Sequence, residues 1–583
     1  MSLPAAFTRS ITGQSWRWRG TSAVMEETDD LVDQLLLARG CPPDALAAHR
    51  NPTIRAFMPD PSIFQDMDAA AARLADAVQS GERVTVFGDY DVDGATSAAL
   101  LIRVLGALGL KAGYYIPDRL LEGYGPSGDA LVALKQSGSS LVVTVDCGAQ
   151  AFEALAAACA AGLDVIVVDH HQCSTALPEA LALVNPNRLD EDETAASFGL
   201  LAAVGVAWLL GAALVRTLRG RGWFATRPEP KLLDLLDIVA LGTVADVARL
   251  RGLNRAFVAQ GLKVMAGRRN VGLDALITAS RLKVAPSCTD LGFALGPRIN
   301  AGGRVGKSDL GVRLLTTEDP SEAREIADEL DALNTERRAI EAGVQAEAED
   351  MAMRQSNRAV AVVAGEGWHP GVIGIVAGRL KEKLGKPAIV VALDGSTGKG
   401  SGRSVPGVDL GAAVLAAKDM GLLAAGGGHA MAAGLTVDSA RVADLGDFLH
   451  DRLEGDVARA TADRSLLLDV LIAPGGLTPG LVDTLESGGP YGMGWPAPRV
   501  ATGPVRILKA DLVGTDHVRT LVSGEDGRSF KAMAFRQAAT DLGQALLGAG
   551  RDRRFWLAGR ARKDDWGGRS AAELHIDDAS FAD

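Results

Sequence analysis

Residues 84–100 read VTVFGDYDVDGATSAAL, with Asp89, Asp91 and Asp93 on alternate positions directly after an apolar run. The β-branched start predicts a short buried strand. The segment ATSAALLIRVLGALG (95–109) has helical spacing and stops at glycine. A simple turn needs one Asp or Asn beside a Gly. Three carboxylates this close repel one another unless positive charge lies among them. The same arrangement recurs downstream: SLVVTVDCG (140–148) and LDVIVVDHH (163–171) are apolar runs, with helical GDALVALKQSG (128–138) and AFEALAAACAAG (151–162) before and between them. Continuous apolar strands alternating with helices indicate α/β architecture, a parallel sheet covered on both faces.

Each of these strands ends in acids or imidazoles. The first delivers Asp89, Asp91 and Asp93, the second Asp146, and the third Asp169, His170 and His171. In an open parallel sheet the carboxyl ends of neighbouring strands converge on one crevice. Asp246, at the end of LLDIVALGTVADV (235–247), is a fourth contributor. Carboxylates with imidazoles and no thiolate suit Mn²⁺ or Mg²⁺ better than zinc. So many acids around one ion would leave excess negative charge, whereas a bridging carboxylate holds two. That pairing points to phosphoester hydrolysis. An EF-hand is excluded, because the closing Glu its loop needs at position 12 is missing.

A chain of 583 residues exceeds one ordinary core and predicts several domains. Five scattered cysteines, odd in number and never in CxxC spacing, fit a reducing cytoplasm without a disulfide framework or zinc knuckle. The N-terminus lacks a signal-peptide apolar region, and GLLAAVGVAWLLGAALV (199–215) reads as a buried helix rather than a membrane span. The net charge of −12 includes the clustered aspartates. Residues 501–570 run the other way, with thirteen Arg or Lys against eight Asp or Glu.

Along the chain we read a helical lead-in (1–75), the acid-bearing α/β domain (76–316) and a helical connector (317–355). A second α/β domain (356–460) and a small β-barrel (465–583) follow. The connector reads as one long or two shorter exposed helices, capped by Thr317 or Asp319 with Pro320 in the first turn. GPRINAGGR (296–304) offers Arg298, Asn300 and Arg304 around a glycine-lined turn, where guanidinium forks suit phosphate. In GGGHAMAAG (426–434), Gly427 and Gly428 allow close backbone approach beside His429. The Ala-rich residues after them read as the start of a helix facing a phosphate. In the barrel, Arg551, Arg553, Arg554, Arg560 and Arg562 beside Phe555 and Trp556 suit backbone tracking with base stacking.

The set GDYDVDG, VTVDCG, VVDHH and GTVADV, in this order, resembles the four motifs of the DHH phosphoesterase family. GWHPGVIGIVAGRL, GSGRS and GGGHAMAAG resemble its companion DHHA1 domain. The connector, LGFALGPRINAGGR (291–304) and GPYGMGWPAP (489–498) are similar to the family's single-strand-specific exonucleases, whose C-terminal module is an OB-fold. The departures are Cys147, where such proteins commonly have Asn, and the missing proline in ADVARL.

The resemblance implies that Asp91 and Asp93 each bind one ion, that Asp146 bridges both, and that His170 and Asp246 complete the site at Asp93. Asp89 then either ligates the other ion or orients its ligands, and Asp169 orients the imidazoles. His171 contacts the substrate phosphate or orients the nucleophile, while Arg403, Ser404 and His429 form a pocket for a 5′-terminal phosphate. The implied activity is 5′→3′ exonucleolytic release of 5′-mononucleotides from single-stranded DNA in recombination and repair. The enzyme would be a cytoplasmic monomer meeting a single-strand-binding protein and a helicase. The alternatives are an oligonucleotide or cyclic-dinucleotide phosphodiesterase and a non-catalytic replication-fork scaffold.

Overall fold

The computed structural model describes residues 10–20, 30–119, 121–462, 464–550, 553–564 and 571–582. Strands β1 (Val84–Gly88), β2 (Gly113–Tyr115), β3 (Leu141–Val145), β4 (Asp164–Val168) and β5 (Ala182–Val184) form an all-parallel sheet in the order 2-1-3-4-5. Strand order reverses between β1 and β3, and ligands bind at the carboxyl ends beside such a reversal. Gly88 pairs with Val145 and Val145 with Val168, so Asp89, Asp146 and Asp169 leave three adjacent strands at one level.

Helix α1 (Val92–Ala107) begins earlier than its apolar spacing predicts, because Asp91 caps it by accepting from the amides of Asp93 (2.8 Å) and Gly94 (3.1 Å). Gly94 is where the helix meets the strand end: a Cβ there would lie 2.3 Å from the Asp89 carbonyl oxygen. Gly94→Ala is therefore expected to destabilise the protein by about 1–3 kcal/mol, because backbone must shift. A chemical-denaturation midpoint checks this, and an unchanged midpoint would contradict it. Helix α2 (Ala203–Gly220) has the length and apolarity of a membrane span, but its side chains lie mostly in the domain core, as the sequence predicts.

Helices α3 (Leu236–Ala245) and α4 (Gly296–Val305) complete the floor of the first domain. The connector is a single helix, α5 (Pro320–Met353), capped by Asp319. It is not merely exposed. Ala323, Ile326, Ala327 and Leu330 enter the first core, and Val344, Ala348 and Ala352 the second. Polar Asn334, Arg337 and Glu341 interrupt that stripe, which hides it from apolar periodicity.

The second domain carries β6 (Ala361–Glu366), β7 (Ala388–Asp394), β8 (Thr397–Arg403), β9 (Ala425–His429) and β10 (Ala432–Asp438), ordered 9-10-8-7-6. Helix α6 (Ile373–Leu384) packs in its core. The expected helix after GGGH is instead the hairpin β9–β10. Ala433, Leu435 and Val437 alternate inward with strand period, and a Cβ on Gly426 would meet Val414 at 2.9 Å.

In the C-terminal module, β11 (Val500–Val513), β12 (His517–Gly524), β13 (Ser529–Ala534), β14 (Arg554–Asp564) and β15 (Ala571–Phe581) close into a barrel through β11–β14 pairing. The lead-in is not wholly helical: Ser15–Trp18 pairs in parallel with Ser465–Leu468. Phe555 is fully buried and serves the barrel core rather than stacking on bases; Arg551 lies outside the described residues. Arg255, itself fully buried, donates to the carbonyls of His49, Gly488, Gly489 and Pro490. It thereby fastens the approach to the barrel onto the first domain.

Candidate functional site

The strand ends bring three donor groups within ligand reach of common points: Asp89, Asp91 and Asp146; Asp93, His170 and Asp246; and Asp146, His170 and His171. Asp146 is shared by the first and third groups, and His170 by the second and third. Asp93 is held by the N-terminus of α2, accepting from the amides of Ala203 (2.7 Å) and Val204 (3.0 Å). A Cβ on Gly242 of α3 would approach its carboxylate to 3.1 Å, so close packing of α3 also fixes Asp93. Asp146 sits at φ +61, a left-handed conformation that non-glycine residues adopt rarely and mostly at functional sites. Asp246 caps the C-terminal end of α3, so the fourth contributor comes from a helix, not a strand.

The electrostatics ask for cations. Burial pushes the Asp93 carboxyl up to about 7 and the Asp246 carboxyl up to about 9, and neighbouring aspartates add to both shifts. Burial and like charges also hold Asp89 and Asp146 well above the carboxylate range. His170 goes the other way, lowered by burial to about 4 and hence neutral. Its Nδ1–H donates to the Leu201 carbonyl at 3.0 Å, which leaves the Nε2 lone pair 3.2 Å from the Asp146 carboxylate. Lone pair facing carboxylate is unfavourable without a cation between them. Neither His170 Nε2 nor Asp89 Oδ1 has a hydrogen-bond partner, although both are buried. Oxygen donors, one neutral imidazole and orphaned atoms aimed inward fit hard divalent ions.

Asp169 stands apart from these donors. Burial opposes its charge, but its bond to His171 Nδ1 (2.7 Å) and the imidazole charge bring it down to about 2. It also accepts from the amides of Ala149, His170 and His171. The Asp169 partnership overcomes burial and raises His171 to about 9, giving a half-exposed imidazolium at the mouth of the site. Three side chains passed over in the sequence hold this geometry. Tyr124 donates to the Asp146 carbonyl (2.9 Å) and lies 3.2 Å from His171 Nδ1. Asn185 and Asn187 donate to the carbonyls of His171 and His170. Only polar residues just beyond β5 could have hinted at the asparagines.

A cavity of about 470 Å³ opens between the two α/β domains beside this centre. Tyr90, Arg119 and Arg304 line one side and Ser401, Arg403 and Gly427 the other, with no carboxylate in the lining. Arg119 stacks on the Tyr90 ring, 4.8 Å from its centroid. Burial and the charge of Arg119 lower both Arg304, to about 10, and Arg403. Among the described residues Arg304 donates only to the Gly371 carbonyl (2.7 Å) and forms no ion pair. The cavity's charge suits an anion.

Several expected phosphate ligands are placed differently. Arg298 and Arg304 lie on helix α4 rather than on a turn. Arg298 pairs with Asp331 of the connector (2.8 Å) and does not enter the cavity. Asn300 lies one groove away, toward the connector. Ser404 is buried and donates to the Val408 carbonyl, leaving its place to Ser401. Gly428 and His429 are on β9 outside the cavity lining.

Family models match the DHH family N-terminal domain over residues 83–243, the DHHA1 domain over 356–455 and the RecJ OB domain over 468–578. The single-stranded-DNA-specific exonuclease RecJ of Dickeya dadantii is 40% identical, over 77% of this chain and 80% of the relative. That of Escherichia coli is 38% identical, over 79% and 82%. The chain belongs to the RecJ family. A crystal structure of Thermus thermophilus RecJ in complex with Mn²⁺ superposes with a TM-score of 0.75 at 29% identity, covering 99% of this chain and 78% of that one. Its Mg²⁺ complex gives 0.70 at 28% identity, covering 100% and 78%. Beside the metal-facing side chains of this RecJ-family site, Cys147 is buried and donates only to the Val145 carbonyl. The departure from Asn there leaves the donor set intact.

Proposed function

We propose that this protein is a 5′→3′ exonuclease that hydrolyses single-stranded DNA to 5′-mononucleotides with two Mn²⁺ or Mg²⁺ ions. The observation that carries the reading is the pairing of an acid-rich centre, needing cations, with an acid-free arginine cavity beside it. Asp89, Asp91 and Asp146 would hold one ion and Asp93, His170 and Asp246 the other, with Asp146 reaching toward both. Bound there, the ions supply Lewis-acid charge to the scissile phosphate and acidify the attacking water. Arg119 and Arg403 seat the 5′-terminal phosphate, and Arg304 stabilises charge on the phosphate that reacts. His171, kept protonated by Asp169, donates from its free edge to a phosphate oxygen. Water adds to phosphorus and the bond to the terminal nucleotide's 3′ oxygen breaks. A mononucleotide leaves, and the shortened strand carries a new 5′-phosphate.

The connector and barrel favour a strand over a small cyclic substrate, and a complete donor set disfavours a scaffold. A 5′-labelled single strand, its duplex and its RNA counterpart, incubated with Mn²⁺, test the reading. Labelled mononucleotide should appear first from the DNA single strand; equal release from duplex would overturn single-strand selectivity.

Cation binding must displace protons from Asp93 and Asp246, raised to about 7 and about 9. Mn²⁺ affinity measured calorimetrically should therefore rise from pH 6 to pH 9, with proton release shrinking over the same range. A carboxyl raised above its unfolded value binds more protons when folded, so stability falls as pH climbs from the unfolded to the folded pKa. Metal-free protein should lose stability across that window, and Mn²⁺ should restore it.

A further inference from the structure

Strand β8, TGKGSGR (397–403), faces the arginine cavity with alternate residues. Its inward positions are all glycine: a Cβ on Gly398, Gly400 or Gly402 would come within 2.7 Å of Val391, Leu435 or Leu410. Its outward positions are Lys399, Ser401 and Arg403, and all three line the cavity. Strand geometry spreads this ladder over about 13 Å. The neighbouring strands leave its middle bare. Gly434 of β10 is in register with Ser401, and Gly427 of β9 with Gly434. Both glycines line the cavity, and a Cβ on either would meet nothing within 4 Å. At the far end Thr436, in register with Lys399, also lines it. The cavity is therefore a trough along β8, not a socket at Arg403.

One phosphate does not fill this trough. Four cations line it, Arg119, Arg304, Lys399 and Arg403, and no carboxylate does. A phosphate monoester brings about two negative charges, so half of the cationic charge stays unmatched. The N-terminus of α6, with Ile373 and Gly374 in the lining and no side-chain cap at Val372, adds further positive potential. The volume of about 470 Å³ lies in the range of pockets for whole small-molecule ligands, roughly 300–1,000 Å³. Lys399 is exposed and has no hydrogen bond or ion pair among the described residues. A lone surface lysine is ordinary. One that ends a ladder of Ser401 and Arg403, beside a bare glycine floor, lengthens the anion site by a further step.

We propose that the trough is an oligophosphate site: it accepts strands ending in a 5′-triphosphate, and Lys399 holds the phosphates beyond the one at Arg403. This rests on the exonuclease reading for the position of the strand. Water adds to the phosphorus between the first and second residues, and the bond from that phosphorus to the first residue's 3′ oxygen breaks. The 3′ oxygen leaves as a hydroxyl and the triphosphate is untouched, so the first product is a nucleoside 5′-triphosphate. The shortened strand carries a 5′-monophosphate. Any preference for the longer end therefore acts in the first turnover alone.

Single-turnover release of the first residue with Mn²⁺, from strands of one sequence bearing a 5′-mono- or a 5′-triphosphate, tests the proposal. The triphosphate strand should half-saturate at about 10-fold lower protein concentration, the range of one charge-assisted hydrogen bond, and should yield nucleoside triphosphate. Lys399→Ala should bring the ratio between the two strands close to one, and Lys399→Arg should keep it. In calorimetry on metal-free protein, inorganic tripolyphosphate should bind about 10-fold more tightly than inorganic phosphate, again through Lys399. Equal half-saturation by the two strands, or a preference that survives Lys399→Ala, would overturn the proposal. Tripolyphosphate binding without a strand preference would also overturn it, the ligand then being a free oligophosphate. Lys399-dependent binding of the triphosphate strand without hydrolysis of either strand would uphold the trough and overturn the exonuclease reading. Hydrolysis of both strands without preference would do the reverse.

Discussion

Asp146→Asn is expected to slow hydrolysis of single-stranded DNA roughly 10³-fold, the loss of about 4 kcal/mol of charge stabilisation at the reacting phosphate. Asp146 lies in two of the three donor groups, so its charge serves more than one cation position. Asparagine is the informative replacement. At φ +61 an alanine would add backbone strain, whereas asparagine tolerates the left-handed region. Its amide keeps the shape and removes the charge. The same substitution should leave the metal-free protein at least as stable as wild type. Burial and then Asp93, Asp91 and Asp89 hold the Asp146 carboxyl far above its unfolded value, so at neutral pH its ionisation opposes folding. The stabilisation that Mn²⁺ confers should shrink correspondingly in thermal melts. Activity within tenfold of wild type, or an undiminished Mn²⁺ shift in Tm, would contradict this account.

Arg403→Ala should cost roughly 10- to 100-fold in KM on 5′-phosphorylated strands, the range of charge-assisted hydrogen bonds to one phosphate. On 5′-hydroxyl strands it should cost little, because the group it holds is missing. The guanidinium is buried, and its neighbour Arg119 lowers its proton affinity further. It pays that penalty while donating only to Ser401 Oγ (3.1 Å) and the Gly402 carbonyl (2.8 Å). Arg403→Lys should recover part of the loss, since ammonium supplies charge without the planar fork. Equal losses on both strand types would place Arg403 in the framework rather than on the phosphate.

Most of the acid centre was legible in the sequence because its ligands sit at predictable ends of buried strands. Register then does the rest: pairing of Gly88 with Val145, and of Val145 with Val168, lines up Asp89, Asp146 and Asp169. The arginine cavity was less legible. Arg119 and Ser401 enter it from segments distant in sequence, and no local pattern marks either. Arg298 looked as suitable as Arg304, yet a carboxylate on the connector, Asp331, captures it; only tertiary structure separates the two. The GGGH segment misled for a related reason. Its glycines were read as a phosphate loop before a helix, whereas one of them lets a sheet pack closely on Val414. The strand Ser15–Trp18 pairs with a partner about 450 residues away, a contact that local periodicity cannot signal.

The central claim is that the aspartates of GDYDVDG tolerate one another because two cations lie among them. Anomalous scattering from crystals grown with Mn²⁺ measures this directly. Two peaks are predicted, one among Asp89, Asp91 and Asp146 and one among Asp93, His170 and Asp246, with Asp146 contacting both. A single peak outside these groups, or none at saturating Mn²⁺, would contradict it.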